Sequence, residues 1–409
     1  MSNTRQTFVI AGAGQAGGEI AAELRKQGFA GRVVIIGEEP HIPYKRPPLS
    51  KAYFAGQAKL ESLYVLPRAS LDKVNIEFVG NTRVEKIDRN SKTVSLSNGE
   101  GLAYDKLALT IGGRARPLNL PGANRPNVHL LRTITDVDAI RARQAPGKRM
   151  VVIGGGFIGL EVAASGRKVG LEVTVLEGLP RVLARVTVPE VSAFFERIHR
   201  EAGVDLRTGV QVTALEGEPD VTHVVLDGGE RIPADFVVIG VGLIPNTELA
   251  QQTGLDVDNG IVVDEHTRTS DPDIHAAGDC TNHPNAFLGR RVRLESVQNA
   301  MEQARAAARN MLGQDEPYRA VPWFWSDQYE LKLQMAGLSA GFDQMVLRGD
   351  PKTQRSFAVF YLHEGHLIAA DTVGRPQDFM FAKKLVASRT RLDPAQLADE
   401  SVALKTLAA

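Results

Sequence analysis

The stretch Phe8-Val-Ile-Ala-Gly12-Ala-Gly14-Gln-Ala-Gly17 has the order expected of a buried strand, a tight glycine turn and the start of a helix. The same order recurs in Met150-Val-Val-Ile-Gly154-Gly155-Gly156-Phe-Ile158-Gly159. In such a turn the first glycine permits the bend, the second lets the backbone approach a pyrophosphate, and the third lets the helix pack closely on the strand. The N–H groups and positive dipole end of the helix N-terminus attract phosphates. The two stretches therefore predict two bound dinucleotides.

Each turn is followed by an acidic residue at the end of the next apolar segment. Glu38 follows residues 33–37, and Glu177 follows residues 173–176. A carboxylate about 20 residues after the turn is typical of this motif, because it accepts hydrogen bonds from the adenosine ribose. We therefore predict that Glu38 and Glu177 each bind the ribose of one nucleotide.

The composition is that of a globular chain, with 409 residues of which 43% are hydrophobic and 23% charged. This length predicts two to four domains. Basic and acidic residues both number 48, so the net charge gives no indication of nucleic-acid or membrane binding. No apolar run approaches the roughly 20 residues that span a bilayer, and the N-terminus lacks a signal-peptide pattern. We expect a cytoplasmic protein that binds neither nucleic acid nor membrane.

Cys280 is the single cysteine of the chain. One cysteine excludes an intrachain disulfide, a Cys-x-x-Cys redox pair and a four-cysteine cluster. Disulfide reductases that bind two nucleotides need a dithiol beside the flavin. The corresponding stretch after Glu38, His41-Ile-Pro-Tyr-Lys-Arg-Pro-Pro, contains no cysteine. We interpret Cys280 as a small buried residue, and we expect no metal site.

The two halves of the chain share more than their glycine turns. Each continues with a turn signal, Ser97-Asn-Gly99 or Asp227-Gly-Gly229, and then with a buried strand that follows an acid, Asp105 or Asp235. Such a repeat indicates one architecture used twice. We predict an α/β fold with two doubly wound, Rossmann-like domains, each a parallel sheet with a small antiparallel crossover. Alternating apolar residues and a helical pattern after residue 321 predict a C-terminal α+β domain.

Six short stretches together resemble the FAD-dependent, NADH-using ferredoxin reductases that serve bacterial haem monooxygenases and ring-hydroxylating dioxygenases. They are Pro47-Pro-Leu-Ser-Lys51, Leu131-Arg-Thr133, residues 154–161, Thr269-Ser-Asp-Pro272, Ala277-Gly-Asp279 and Pro322-Trp-Phe-Trp-Ser-Asp-Gln328. The resemblance covers nearly the whole chain and implies a glutathione-reductase-like fold, with FAD at the first turn and NADH at the second. The implied domains are an FAD-binding domain at 1–117 and 246–320, an NADH-binding domain at 118–245 and a C-terminal domain at 321–409.

The resemblance also assigns residues to each cofactor. Lys51 and Arg132 contact the flavin, Asp279 holds its ribityl chain, and Val297 contacts it through the backbone at the start of a helix. The predicted FAD-binding residues are Gly12, Gly14, Gly17, Glu38, Arg46, Lys51, Val84, Arg132, Asp279, Val297 and Trp325. The predicted NADH-binding residues are Gly154, Gly155, Gly156, Ile158, Gly159, Glu177, Gly242 and Glu295.

Several of these assignments have structural alternatives. Asp279 also suits an ordinary turn, and Trp325 suits a domain core as well as a place beside the flavin. Lys51 and Glu161 are the predicted catalytic residues, which tune flavin N5 and position the nicotinamide. The alternative is a buried ion pair that only joins two domains.

The function that the resemblance implies is NADH-dependent ferredoxin reduction. NADH releases a hydride, whereas an iron-sulfur protein accepts single electrons, and a flavin connects the two. We expect hydride transfer to FAD N5 and then two one-electron transfers to a [2Fe-2S] ferredoxin that supplies a monooxygenase or dioxygenase. Another acceptor, such as rubredoxin, a quinone or the semidehydro-ascorbate radical, stays open. Balanced charge disfavours a nucleic-acid-binding factor of the apoptosis-inducing type.

Two further expectations concern specificity and docking. Glu177 suits the 2'-hydroxyl of NADH and repels the 2'-phosphate of NADPH, and Arg181 is the nearby cation. We expect a transient complex with an acidic ferredoxin, formed by a monomer or weak dimer of this chain. The candidate docking residues are Arg290, Arg291, Arg293, Arg305 and Arg309. The alternative for each of them is an ordinary solvated charged face.

Overall fold

The computed structural model describes residues 6–407. This part of the chain forms two compact units. The first contains residues 6–45, Leu60–Arg114 and Ile244–Pro322. The second contains Arg46–Lys59, Ala115–Leu243 and residues 323–407. Each unit is therefore assembled from three separate stretches of the chain.

The strands are numbered in chain order. They are β1 Thr7–Ala11, β2 Arg32–Ile36, β3 Ile76–Val79, β4 Val84–Asp88, β5 Thr93–Leu96, β6 Gly101–Ala103, β7 Lys106–Leu109, β8 Gly113–Ala115, β9 Val128–Leu130, β10 Arg149–Ile153, β11 Glu172–Glu177, β12 Asp205–Thr208, β13 Val212–Glu216, β14 His223–Leu226, β15 Arg231–Pro233, β16 Phe236–Ile239, β17 Leu243–Pro245, β18 Ile261–Val262, β19 Ile274–Ala276, β20 Thr281–Asn285, β21 Arg290–Val292, β22 Trp323–Gln328, β23 Leu331–Gly337, β24 Gln344–Arg348, β25 Phe357–His363 and β26 His366–Val373.

The helices are numbered in the same way. They are α1 Gln15–Lys26, α2 Arg68–Lys73, α3 Ile134–Arg141, α4 Phe157–Lys168, α5 Pro189–Glu201, α6 Glu248–Gln252, α7 Val297–Met311, α8 Pro376–Ala387, α9 Pro394–Ala398 and α10 Leu404–Leu407. Two short 3-10 helices span Pro47–Ser50 and Leu60–Leu63. None of the helices within residues 6–407 combines the length and apolar composition that a membrane span requires.

A five-stranded parallel sheet forms the centre of the first unit, in the order β19-β7-β1-β2-β3. Strand β1 contributes side chains to both faces of this sheet. Phe8 and Ile10 pack with residues of α1 and α7, whereas Val9 and Ala11 pack with residues of β4 and β5. Burial on both faces explains why the strand is a continuous apolar run.

Helices α1 and α7 lie side by side on that sheet. Small alanines of α7 line the shared core, which permits close helix packing. At the edge of this contact, Arg305 pairs with Glu19 at 3.1 Å and Arg309 pairs with Glu23 at 2.9 Å. Two of the arginines considered for ferredoxin docking therefore have carboxylate partners within their own unit.

The second unit repeats the architecture of the first. Its parallel sheet has the order β12-β11-β10-β16-β9, and the antiparallel sheet β13-β14-β15 forms the crossover. The repeated acids have the same role in both units. Asp105 accepts a hydrogen bond from the Thr7 backbone N–H at 2.7 Å, and Asp235 accepts one from the Arg149 backbone N–H at 2.8 Å. The predicted fold class and its internal repeat are confirmed.

The C-terminal part of the second unit is an antiparallel sheet in the order β22-β23-β26-β25-β24, covered by α8. Asp371 of β26 accepts hydrogen bonds from the hydroxyls of Tyr361 and Thr187, both at 2.6 Å. Thr187 lies two residues before α5, so this buried acid joins the C-terminal sheet to the nucleotide-binding part of the unit. Burial raises the pKa of Asp371 to about 6.

Three buried histidines predict a loss of stability in acid. Burial lowers the pKa values of His199, His275 and His283 to about 4, from 6.5. The unfolded chain therefore binds protons that the folded chain excludes, and the free energy of unfolding falls as the pH drops from about 6.5 to 4. Each histidine contributes up to about 3 kcal/mol to this loss. Thermal unfolding measured at several pH values checks it.

The variant His283→Phe isolates one of these contributions. Neither ring nitrogen of His283 has a hydrogen-bond partner among residues 6–407, and the ring packs against Tyr318. The variant should be at least as stable at pH 7 and should lose less stability on acidification than the unmodified chain. Equal acid sensitivity in the two proteins would contradict this account.

Candidate functional site

The first glycine turn connects β1 to α1 and leaves an open side at its second glycine. Gly12 has a φ of +114°, and a Cβ there would lie 2.3 Å from the Thr110 carbonyl oxygen. A Cβ on Gly17 would lie 2.1 Å from the Gly12 carbonyl oxygen. At Gly14, by contrast, an added Cβ meets no atom within 4 Å. Packing within the protein therefore requires glycine at positions 12 and 17. Glycine at position 14 is required only if a bound molecule approaches the backbone there.

The second turn, between β10 and α4, has the same three properties. A Cβ on Gly154, whose φ is +113°, would lie 2.4 Å from the Gly240 carbonyl oxygen, and one on Gly159 would lie 1.9 Å from the Gly154 carbonyl oxygen. Gly156 is open within 4 Å. Helices α1 and α4 both begin without a side-chain cap. Both turns thus fit a pyrophosphate bound to backbone N–H groups.

The two predicted ribose acids differ in their surroundings. Glu177 ends β11, and its carboxylate accepts the Gly155 backbone N–H at 2.5 Å and the Leu179 backbone N–H at 2.7 Å. Glu38 is exposed and pairs with Arg83 at 3.3 Å. Glu177 is therefore fixed against the glycine turn, whereas Glu38 takes part in an ion pair at the surface.

The first unit contains further residues predicted to bind FAD. Val84 is buried in β4, and Asp279 is partly buried directly after Gly278, which has a φ of +90°. Val297 is the first residue of α7, and Ser296 caps this helix by accepting the Asn299 backbone N–H at 3.1 Å. The helix expected to begin at Val297 is therefore present. Glu295, predicted for NADH, also lies in this unit and is exposed.

The second unit contains Arg46, Lys51, Arg132 and Trp325, which were predicted to bind FAD. Arg46 donates a hydrogen bond to the carbonyl oxygen of Arg132 at 2.5 Å, so the two arginines lie together. The predicted FAD-binding residues are thus divided between the two units. All predicted NADH-binding residues except Glu295 belong to the second unit.

Ile158 and Gly242 lie at the carboxyl edge of the second parallel sheet. Ile158 is in the first turn of α4 and is 43% exposed, which is unusual for a large apolar side chain. Gly242 follows β16, has a φ of +113°, and an added Cβ there meets no atom within 4 Å. This edge is where nucleotides bind in open α/β sheets.

Lys51 and Glu161 form an ion pair in the second unit, with 2.6 Å between Nζ and the carboxylate. Glu161 lies on α4 and is 3% exposed. Its carboxylate also accepts hydrogen bonds from Ser50 at 2.5 Å and from Ser326 at 2.6 Å. Three donors, one of them the Lys51 ammonium, thus meet at this buried carboxylate. Ser50 and Ser326 lie in two of the stretches that carry the family resemblance, but no sequence pattern indicated a role for their hydroxyls.

The side chains of β22 divide between two faces. Trp325 and Trp323 share one face, with ring centroids 5.5 Å apart, and Trp323 also packs against Phe379 of α8. Phe324 and Ser326 point the other way, toward Phe157 and Glu161 of α4. Trp325 lies on the opposite face of the strand from Ser326 and is partly exposed.

Comparison with known proteins identifies the family. A family model described as pyridine nucleotide-disulphide oxidoreductase matches residues 6–304, and one described as reductase C-terminal matches residues 323–408. The chain belongs to the pyridine nucleotide-disulphide oxidoreductase family. This oxidoreductase nevertheless has one cysteine, which is fully buried, and burial raises the pKa of the Cys280 thiol to about 12. Such a thiol stays protonated and is a poor nucleophile.

Relatives match this oxidoreductase along its whole length. Putidaredoxin reductase CamA of Pseudomonas putida is 48% identical, with coverage of 100% of this chain and 98% of that protein. Rhodocoxin reductase of Rhodococcus erythropolis is 46% identical, with coverage of 98% and 93%. The crystal structure of the covalent putidaredoxin reductase–putidaredoxin complex matches with a TM-score of 0.96, 47% identity and coverage of 99% and 98%. The resemblance drawn from the sequence is confirmed.

The open position at Gly14 predicts a loss of FAD without a loss of folding. In Gly14→Val the backbone needs no left-handed conformation, and the new side chain meets no protein atom near its Cβ. It does fill the space that the pyrophosphate needs. The purified variant should be folded and should lose most of its bound FAD, measured as flavin absorbance per chain.

Two matched variants show what each outcome means. Gly101→Val, on the surface strand β6, should retain FAD. Gly17→Val should fail to fold, because its Cβ would overlap the Gly12 carbonyl oxygen. If Gly14→Val keeps as much FAD as Gly101→Val, the first turn is not the FAD site.

Proposed function

We propose that this oxidoreductase is an NADH-dependent ferredoxin reductase that supplies electrons to a monooxygenase or dioxygenase. The observation that carries the proposal is the presence of two dinucleotide turns in a chain whose single cysteine is buried. Electrons from a nicotinamide therefore cannot pass to a dithiol of this chain. The nearly full-length similarity to reductases named for putidaredoxin and rhodocoxin supports an iron-sulfur protein as the acceptor.

We assign FAD to the first turn and NADH to the second. When bound, FAD accepts two electrons from NADH and releases them one at a time. The backbone N–H groups at the start of α1 and α4 bind the pyrophosphates, and Glu38 and Glu177 bind the ribose groups. The other residues that we assign to FAD are Val84, Asp279 and Val297 of the first unit and Arg46, Arg132 and Trp325 of the second.

The Lys51–Glu161 ion pair is the proposed catalytic element. Hydride transfer needs no acid or base from the protein, so these residues contribute by position and charge. The Lys51 side chain is 20% exposed, and its ammonium pairs with a carboxylate that is almost fully buried. A cation held in this way would supply fixed positive charge to a bound flavin.

We infer a preference for NADH over NADPH from the surroundings of Glu177. Its carboxylate is held by two backbone N–H groups and repels a 2'-phosphate. Arg181, the first cation after Glu177 in the sequence, donates to the Ser192 hydroxyl at 2.6 Å and to the Ala184 carbonyl oxygen at 2.9 Å. Arg181 is therefore already engaged within its own unit.

The acceptor docks transiently, and we propose an acidic ferredoxin surface. Arg305 and Arg309 are partly neutralised by Glu19 and Glu23, and Arg293 pairs with Glu295 at 2.7 Å. Weak redox complexes are often steered by charge. The proposal also includes the domain boundaries expected from the sequence, a monomeric or weakly dimeric state, and a cytoplasmic location, where NADH is generated.

Electron transfer to a purified [2Fe-2S] ferredoxin tests the function. The holoenzyme with NADH should reduce the ferredoxin, and cytochrome c reduction by the reduced ferredoxin reports the rate. This rate of ferredoxin reduction should fall as salt is added, because exposed charges are screened. Rubredoxin and a water-soluble quinone serve as comparison acceptors. Faster reduction of either than of every ferredoxin tried would replace the proposed acceptor. A salt-independent rate would remove charge steering.

The variant Glu177→Arg tests the nucleotide preference. It removes the acceptor for the 2'-hydroxyl and offers a cation to a 2'-phosphate, so the ratio of kcat/KM for NADH to that for NADPH should fall at least about tenfold. Arg181→Gln is the matched control and should leave the ratio nearly unchanged. Equal kcat/KM for both nucleotides in the unmodified protein would overturn the assignment.

A further inference from the structure

The Glu161 carboxylate is one end of a longer chain of buried polar side chains. Ser326 donates to Glu161 at 2.6 Å, and Gln328 donates through its side-chain nitrogen to the Ser326 hydroxyl at 3.2 Å. The Gln328 side-chain oxygen lies 2.9 Å from Nε2 of His199. The hydroxyl of Tyr329 lies 3.1 Å from Nδ1 of His199. All five residues belong to the second unit.

The chemistry of each group determines the direction of every hydrogen bond. An amide oxygen only accepts, so His199 must carry a proton on Nε2. Burial lowers the pKa of His199 to about 4, so the ring is neutral and Nδ1 accepts. Burial raises the pKa of Tyr329 above its usual value, so its hydroxyl keeps the proton and donates. At the other end the carboxylate only accepts.

Every donor in the series therefore points toward Glu161. Hydrogen bonds aligned in one direction polarise one another, and in a buried setting they favour negative charge on the last acceptor. Ser326, Gln328 and His199 are 0%, 1% and 0% exposed, so water does not compete for these bonds. Because the Gln328 amide separates His199 from Ser326, the series does not conduct protons.

The fold explains why these residues meet. Ser326 and Gln328 are two residues apart on β22 and so share the strand face that points to α4 and α5. His199 is in the last turn of α5, and Tyr329 starts the turn after β22 with a φ of +56°. Strand β22 thus connects two helices of the nucleotide-binding part through one row of polar side chains.

We propose that Ser326, Gln328, His199 and Tyr329 are positioning residues, which hold the Glu161 carboxylate in place and thereby fix the Lys51 ammonium for the reaction with NADH. Of the proposed function, this inference requires only the first half-reaction, the reduction of bound FAD by NADH. It adds four residues from α5, β22 and the following turn to the two residues of the proposed catalytic element.

The test measures flavin reduction by NADH in the holoenzyme by stopped flow, without ferredoxin. Ser326→Ala should slow the rate at saturating NADH about tenfold, because a hydrogen bond to a charged group is lost. The Kd of NADH should change by less than about twofold, because no nucleotide contact is removed. Ser326→Thr keeps the hydroxyl and should restore most of the rate. Tyr329→Phe, at the far end, should give a smaller loss in the same direction.

A double-mutant cycle separates this role from a general loss of packing. Gln328→Leu alone should slow flavin reduction, but in the Ser326→Ala background it should have no further effect, because the series is already interrupted. Thr187→Val is the matched control, since it removes a buried hydroxyl that donates to Asp371 at 2.6 Å in the same unit. It should lower thermal stability and leave the rate unchanged.

A measurement independent of activity is the tautomer of His199, read from 15N NMR of histidine-labelled holoenzyme. We expect a neutral ring protonated on Nε2 at pH 7, and a changed Nε2 shift in Gln328→Leu. An Nδ1-protonated or cationic ring would overturn the proposal. The proposal would also be overturned if the rates of flavin reduction simply followed the thermal stabilities of the variants, including Thr187→Val. The same holds if Ser326→Ala and Gln328→Leu slow flavin reduction independently, so that their effects multiply in the double variant. Failure to reduce ferredoxin would affect only the proposed function.

Discussion

The buried carboxylate of Glu161 is the constraint around which the second unit is organised. Removing an anion from water costs several kcal/mol unless donors replace the solvent. Here the donors come from different parts of the chain: Ser50 and Lys51 from the segment Arg46–Lys59, and Ser326 from β22. The acid itself lies on the helix that follows the second glycine turn. The Glu161 carboxylate thus joins all three stretches of the chain that form the second unit.

The two glycine turns set a steric constraint of another kind. In each turn the third glycine lies against the carbonyl oxygen of the first, and no side chain fits between them. This contact holds the helix N-terminus directly over the end of the strand, where its N–H groups face outward. The middle glycine is then the open side of the turn. Nucleotide binding follows from the same close packing that starts each Rossmann-like half.

Two polar clusters link the C-terminal sheet to the nucleotide-binding part of the second unit. One centres on Glu161 and its lysine, and the other on Asp371, whose pKa burial raises to about 6. Both side chains accept hydrogen bonds from hydroxyl groups, but of the two only Glu161 has a cation, Lys51, beside it. A charged partner is suited to a site of electron transfer. Hydroxyl donors alone are suited to a structural contact between two layers of the unit. The C-terminal sheet therefore contributes to the proposed reaction as well as to stability.

The sequence by itself determined the fold class, the two nucleotide turns, their acids and the absence of a dithiol. These features depend on local spacing along the chain: a strand, three glycines, a helix and a carboxylate about 20 residues on. Resemblance to a family then indicated Lys51 and Glu161 as partners. Only the tertiary structure decided that Ser50 and Ser326 complete the donors of Glu161, and that His199 and Tyr329 extend them. Glu161 and Ser326 are far apart in sequence and meet because β22 packs on α4, a long-range contact that no local pattern records.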